Sequence, residues 1–290
     1  MTIFLERPRA IPGLGALKGR YDALLCDIWG VLHDGKRALT PAVAALRAFR
    51  ASGPVVLITN APRPRADVAS LLDKMGAPRD CYDIIVTSGD VTIALIAERI
   101  GQSVHHLGPE RDLGLFAEAE RMAGRAPRLS AMESADYVLC TGLIDDAKET
   151  PANYAERLAA MAKRKLPMVC ANPDILIHRG REIVYCAGAL ARDYETLGGE
   201  VLWIGKPHRP IYQAAFAAAT ALRPGLERRR VLAVGDGIAT DVQGAEDFGL
   251  DVLFIAGGIH RDDVTDGGLP PSLFAALQAP PLYWLEMLAP

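Results

Sequence analysis

The sequence predicts a doubly wound α/β fold: a Rossmann-like parallel sheet with helices on both faces, interrupted by an inserted α/β domain. Three observations predict it. Short apolar runs alternate with helical patterns over the first and last parts of the 290-residue chain. Those runs are apolar throughout rather than alternating with polar residues, as strands buried on both faces are. The middle of the chain keeps the strand and helix patterns but loses the polar residues that end the strands elsewhere.

Taken in order, residues 23–26 read as a strand and 41–51 as a helix. The same pair recurs at 55–58 and 65–75, and again at 84–86 and 91–100. Late in the chain 202–204, 231–234 and 252–255 repeat the strand pattern. Between them, 104–107, 137–140, 168–170 and 183–185 are strand candidates around helices such as 151–163. The expected division is a core domain from 1–102 and 190–290, with an inserted α/β domain over 103–189. No internal repeat or low-complexity segment is found.

Bulk properties exclude several classes. Half the residues are hydrophobic, 23% are charged and the net charge is −3, so nothing draws the chain to nucleic acid or an anionic membrane. No basic run interleaved with aromatics supports nucleic-acid binding. The longest apolar helical run, 211–222, carries Gln213 and lacks the flanks of a membrane span. Residues 1–10 contain Glu6, Arg7 and Arg9 and lack the apolar core of a signal peptide. The five cysteines, Cys26, Cys81, Cys140, Cys170 and Cys186, show no C-x-x-C pairing and read as buried thiols in a reducing cytoplasm.

In an open parallel sheet, ligands bind outside the carboxyl ends of the strands. After 23–26 comes Asp27. After 55–58 come Thr59 and Asn60. After the 202–204 strand and Gly205 comes Lys206, and after 231–234 and Gly235 comes Asp236, with Asp241 further on. A single polar strand end means nothing, since turns are rich in such residues. Together these form a set. Carboxylates suit Mg²⁺, a hard cation that takes oxygen ligands and keeps waters and a substrate phosphate. Lys206 neutralises phosphate charge, Thr59 and Asn60 donate hydrogen bonds to it, and Asp27 is nucleophile or ligand. Asp241 alone would read as a helix-start residue favoured by the macrodipole. With Asp236 at the strand end and Gly237 between, it reads as part of a metal site.

The order Asp27, Thr59-Asn60, Lys206-Pro207 and Gly235-Asp236-Gly237 to Asp241 resembles the four motifs of the haloacid dehalogenase superfamily. Gly30-Val31-Leu32, Ala171-Asn172-Pro173-Asp174 and Gly205-Lys206-Pro207 narrow the resemblance to its subclass IIA, the NagD-like hydrolases. The resemblance covers nearly the whole chain, and the inserted domain lies where that subclass carries its cap. It implies a phosphatase acting on a small phosphorylated metabolite. Asp27 would attack phosphorus to form an aspartyl-phosphate, and Thr59, Asn60 and Lys206 would hold the phosphoryl group. Asp27, Asp236 and the backbone carbonyl of Trp29 would contact Mg²⁺, with Asp241 supporting the site. The cap would close over the substrate.

One position departs from the pattern. Phosphatases of this superfamily carry a second aspartate two residues after the nucleophile, as general acid and base; here it is Trp29. An indole only donates and does not titrate at working pH. Three readings follow: a slow or unusual phosphatase, a different reaction as in the dehalogenases, or a protein that binds a phosphorylated ligand without turnover. The intact remainder of the set puts the phosphatase first.

Other residues have simpler readings. His33 and Asp34, the nearest substitutes for the missing acid, read as a solvated turn before Gly35. His105 and His106 are adjacent in a strand, point to opposite faces and cannot chelate together. His178, His208 and His260 read as surface or turn residues, with His208 near the site because it follows Lys206. Arg228, Arg229 and Arg230 read as a solvated turn. Pro280, Pro281, Tyr283 and Trp284 read as an apolar tail packed on the core or on a subunit partner, so a homodimer is among the expected partners.

Overall fold

A computed structural model describes residues 8–179, 182–264 and 268–290. Its strands, numbered in chain order, are β1 (Arg9–Ala10), β2 (Ala23–Asp27), β3 (Val55–Thr59), β4 (Ile84–Thr87), β5 (Ser103–Leu107), β6 (Arg128–Leu129), β7 (Tyr137–Cys140), β8 (Met168–Cys170), β9 (Leu176–Arg179), β10 (Glu182–Tyr185), β11 (Val201–Trp203), β12 (Val231–Gly235), β13 (Asp251–Ile255) and β14 (Tyr283–Leu285). The chain divides into two compact units. The first takes the described residues through Thr59, Ala69–Val86 and Tyr212–Pro290; the second takes Asn60–Val68 and Thr87–Ile211.

The first unit is built on a sheet in the order β1-β14-β13-β12-β2-β3-β4. The pairs from β1 through to β3 are parallel. Chain order runs outward from its middle, toward β4 on one side and toward β14 on the other. The reversal falls between β2 and β12, the switch point at which doubly wound sheets open a ligand crevice. Leu24, Leu25, Leu57, Val234, Leu253 and Phe254 are all buried, as the unbroken apolar pattern of these strands requires.

The second unit carries a sheet in the order β11-β8-β7-β5-β6, all parallel, and a separate antiparallel hairpin of β9 and β10. Period-two alternation sorts its core into two layers. Val138 and Cys140 face one apolar cluster with Leu158, Met161, Leu190 and Tyr194. Tyr137 and Leu139 face the other, with Ile93, Ile96, Leu115 and Phe116.

This division differs from the expected one. Residues 202–204, expected in the core sheet, overlap β11, which pairs with β8. The second unit therefore runs to Ile211 and also takes in 60–68 and 87–102, beyond the 103–189 read from sequence. A short apolar strand looks the same whichever sheet it joins, and only its long-range partner decides. The C-terminal apolar segment is likewise a strand: β14 lies between β13 and β1.

Among the described residues no helix is long and apolar enough to cross a membrane; the 211–222 run lies in the helix Arg209–Leu222. All five cysteines are buried and none forms a disulfide. Residues 1–7, on which the signal-peptide reading rests, and the side chain of His178 lie outside the described residues. The arginine cluster is more than a solvated turn. Arg230 forms a two-point ion pair with Asp22, Arg223 joins it at 3.0 Å, and the Arg228 guanidinium lies 4.4 Å from the Phe248 ring centroid.

The C-terminal tail is integral to the first unit. Leu288 is fully buried and the Leu14 amide donates to Ala289 O at 2.8 Å. Leu288→Ala should therefore cost about 2–5 kcal/mol of stability in urea unfolding. Leu282→Ala, at an exposed position, should stay within about 0.5 kcal/mol.

Candidate active site

Parallel register fixes what meets at the switch point. Cys26 is opposite Val234, so Asp27 and Asp236 end neighbouring strands; on the other side Asp27 is opposite Ile58, next to the half-buried Thr59. Asp27, Asp236 and Asp241 are all buried, and each offers a carboxylate oxygen within 4.8 Å of the others. Opposite oxygens around an octahedral Mg²⁺ stand roughly 4 Å apart, so the trio fits a small divalent cation. Three buried carboxylates this close repel one another, and a cation between them removes that repulsion.

Glycines make the approach possible. A Cβ on Gly30 or on Gly258 would overlap Asp236, and one on Gly235 would overlap Asp241. Gly30 also has φ +78°, a conformation that L side chains rarely adopt. Asp236 Oδ2 is oriented by the Ile259 amide at 2.8 Å. Asp241 sits in a single π turn, Ile238–Val242, where the amides of Asp241 and Val242 both donate to Gly237 O. Such wide turns recur at functional sites. Gly237 N then donates back to Asp241 Oδ2 at 3.1 Å, and the Tyr212 hydroxyl donates to Asp241 O at 3.0 Å.

Asn60 and Lys206 lie together in the second unit, both buried. The Lys206 amide donates to Asn60 Oδ1 at 2.6 Å, which fixes the orientation of the Asn60 side-chain amide. Asn60 Nδ2 then donates to Asp174 Oδ1 at 2.8 Å and to Lys206 O at 3.1 Å. Both side-chain N–H groups of Asn60 are thus engaged within the second unit. Gly205 allows this, since a Cβ there would crowd Asn60 and Pro173. Asp174 is the residue that sequence reasoning quoted but gave no role, and its signal was the Asn172-Pro173-Asp174 run after β8. His208 stacks on Trp203, ring centroids 5.2 Å apart.

Trp29 is 49% exposed, two residues from Asp27 and so within about 7 Å of it along the chain. Its indole rests on a built seat. His33 meets it edge-on with centroids 5.1 Å apart, and a Cβ on Gly35 would press on the ring. His33 is buried, not solvated as the sequence suggested, because residue 33 bridges to Trp29 and to Ala38. Burial pushes its pKa down, and Nδ1 accepts from the Gly35 amide at 3.0 Å. Asp34 is the exposed member of the turn; the amides of Lys36 and Arg37 hold its carboxylate as an anion and lower its pKa.

Fold and trio together define a class: a doubly wound α/β protein with a cluster of three buried carboxylates at the switch point of its parallel sheet. The chain matches the haloacid dehalogenase-like hydrolase family over residues 24–121 and a HAD-hydrolase-like family over 203–276. It is 44% identical to a haloacid dehalogenase-like hydrolase from Brucella suis 1330, covering 98% of this chain and 100% of that one, with a TM-score of 0.82. It therefore belongs to the haloacid dehalogenase-like hydrolases. Two more distant structures share the fold. NagD from E. coli K-12 is 21% identical over 92% of this chain and 96% of that one, with a TM-score of 0.66. A glycerol phosphate phosphatase from Mycobacterium tuberculosis, in complex with magnesium, is 24% identical over 92% and 74%, with a TM-score of 0.67. No match was found among the curated proteins.

The glycine at position 30 gives a direct test of the trio. Gly30→Ala should weaken Mg²⁺ binding by about 10–100-fold, as the loss of groups that orient metal ligands does. Mg²⁺-dependent thermal stabilisation, titrated in both proteins, measures it.

Proposed function

We propose that the protein is a Mg²⁺-dependent phosphatase of a small phosphorylated metabolite. The observation that carries this reading is the buried trio Asp27, Asp236 and Asp241 at the switch point. Asp27, Asp236 and Asp241, with the Trp29 carbonyl, would hold the ion, which when bound neutralises phosphate charge. Asp27 attacks phosphorus, the bond to the leaving oxygen breaks, and an aspartyl-phosphate forms. Water then attacks that phosphorus, releasing phosphate and restoring Asp27. Thr59, the Asn60 backbone and Lys206 donate to the phosphoryl oxygens, and Asn60 keeps Lys206 in place. Buried thiols suit a reducing, cytoplasmic setting.

The proton for the leaving group does not come from residue 29, because an indole does not titrate at working pH. Asp34 is held as an anion by backbone amides. Protonation from solvent is then the remaining route, which favours leaving groups that depart without a proton. A second reading has support from the same residue: Trp29 also suits a protein that binds a phosphorylated ligand and turns it over slowly or not at all.

A phosphate-release screen over metabolites, with and without Mg²⁺, separates the two. A phosphatase shows Mg²⁺-dependent release that Asp27→Asn abolishes; a pure binder shows only thermal stabilisation by the phosphorylated ligand.

Leaving-group dependence tests the role of Trp29. Wild type should hydrolyse an activated aryl phosphate far better than an alkyl phosphate. Trp29→Asp should raise the alkyl rate by about 10²–10⁴-fold, the usual contribution of a general acid. Equal leaving-group sensitivity in the two proteins would show that residue 29 does not stand where the acid acts.

A further inference from the structure

Two large apolar side chains beside the carboxylate trio have no part in the proposed phosphatase chemistry. A Cβ on Gly30 and one on Gly258 would stand 2.0 and 1.9 Å from the same atom, Asp236 Oδ2, so the two backbone segments meet over that carboxylate. Trp29 precedes Gly30 and Ile259 follows Gly258. Trp29 is 49% exposed and Ile259 67%. The Ile259 amide itself donates to Asp236 Oδ2, which ties this residue to the trio. Exposed apolar side chains scattered singly need no explanation. These two branch from adjoining backbone next to three buried carboxylates, at the end of the sheet where ligands bind.

The indole is held in place before any ligand arrives. The buried His33 meets it edge-on, and Gly35 brings backbone against its six-membered ring, where a Cβ would stand 2.9 Å from Cη2. A flat surface fixed in this way loses little conformational freedom on binding. Neither side chain carries a charge, and the indole N–H only donates. A charged or heavily hydroxylated group would shed water against Ile259 and find no partner there. A flat aromatic ring sheds the least and gains by stacking on the indole.

We propose that Trp29 and Ile259 determine specificity by receiving the organic part of the substrate, and that this part is an aromatic ring stacked on the Trp29 indole. The substrate class is then a phosphate monoester of an alcohol or phenol that carries an aromatic ring. The inference rests on the phosphatase reading only for where the phosphoryl group sits. It concerns binding of the ring, not the acidity of the leaving oxygen.

The probes are benzylphosphonate and cyclohexylmethylphosphonate, which carry the same anchoring group on a flat and on a puckered ring and are not hydrolysed. Each is titrated calorimetrically into the full chain with Mg²⁺, with inorganic phosphate as the reference. Benzylphosphonate should bind about 2–10-fold more tightly than its saturated counterpart, the usual worth of an aromatic pair beyond its buried area. Trp29→Leu should remove that preference, and Trp29→Phe should keep most of it. Ile259→Ser should weaken both phosphonates relative to phosphate. The wild-type comparison decides even where a variant fails to fold. Equal binding of the two phosphonates, or a preference that Trp29→Leu leaves intact, overturns the proposal while the phosphatase reading stands on its own release assay. A preference that follows residue 29, without hydrolysis of benzyl phosphate, supports the proposal and tells against turnover. Binding of neither phosphate nor either phosphonate overturns both.

Discussion

Three carboxylates held within 4.8 Å of one another, all buried, set the terms for the first unit. Unit charges 4 Å apart interact by about 4 kcal/mol at an effective dielectric of 20, so the folded unit holds a strong local repulsion. A divalent cation between them would relieve it. Much of the surrounding geometry serves to keep the groups together despite that repulsion. Parallel register places Asp27 and Asp236 on adjacent strand ends. Glycines at 30, 235 and 258 remove the atoms that would push the carboxylates apart. The π turn at Ile238–Val242 carries Asp241, with the Gly237 amide directed at its carboxylate.

Much of this was legible in the sequence because it is local. The apolar runs that became β2, β3, β12 and β13 are bounded by the residues that end them, so Asp27, Thr59 and Asp236 could be placed at strand ends without knowing the sheet order. What could not be read depends on distant partners. β11 is three residues long, and its sheet is decided by β8, not by its own side chains. β14, also three residues, follows two prolines and is a strand because β13 and β1 flank it.

The site shows the same limit. Asn60 was legible as a polar strand-end residue, but its side-chain donors are spent on Asp174 and Lys206, which are remote in sequence. His33 sits in a run that reads as a turn, and Asp34 does behave as that reading requires. The histidine is buried because residue 33 bridges to Trp29 and Ala38. Side-chain type predicted the chemistry each group can perform; the hydrogen-bond partner decided which groups remain available for it.

The Asn60–Lys206 pair belongs to a wider set of ties within the second unit. The Thr87 hydroxyl donates to Arg63 O at 2.6 Å, the Gly89 amide donates to Ala61 O at 3.1 Å, and the Ser88 hydroxyl donates to Ala171 O at 2.5 Å. Residues 60 and 206, 146 positions apart, are hydrogen-bonded in both directions. Both points where the chain enters this unit, near residues 60 and 87, are therefore tied together, and residue 60 is also tied to residue 206 near its final exit. A segment whose ends meet can be spliced into a host loop with little entropic penalty for closing the gap. The length of chain between such joined ends can therefore change at little cost in closure entropy.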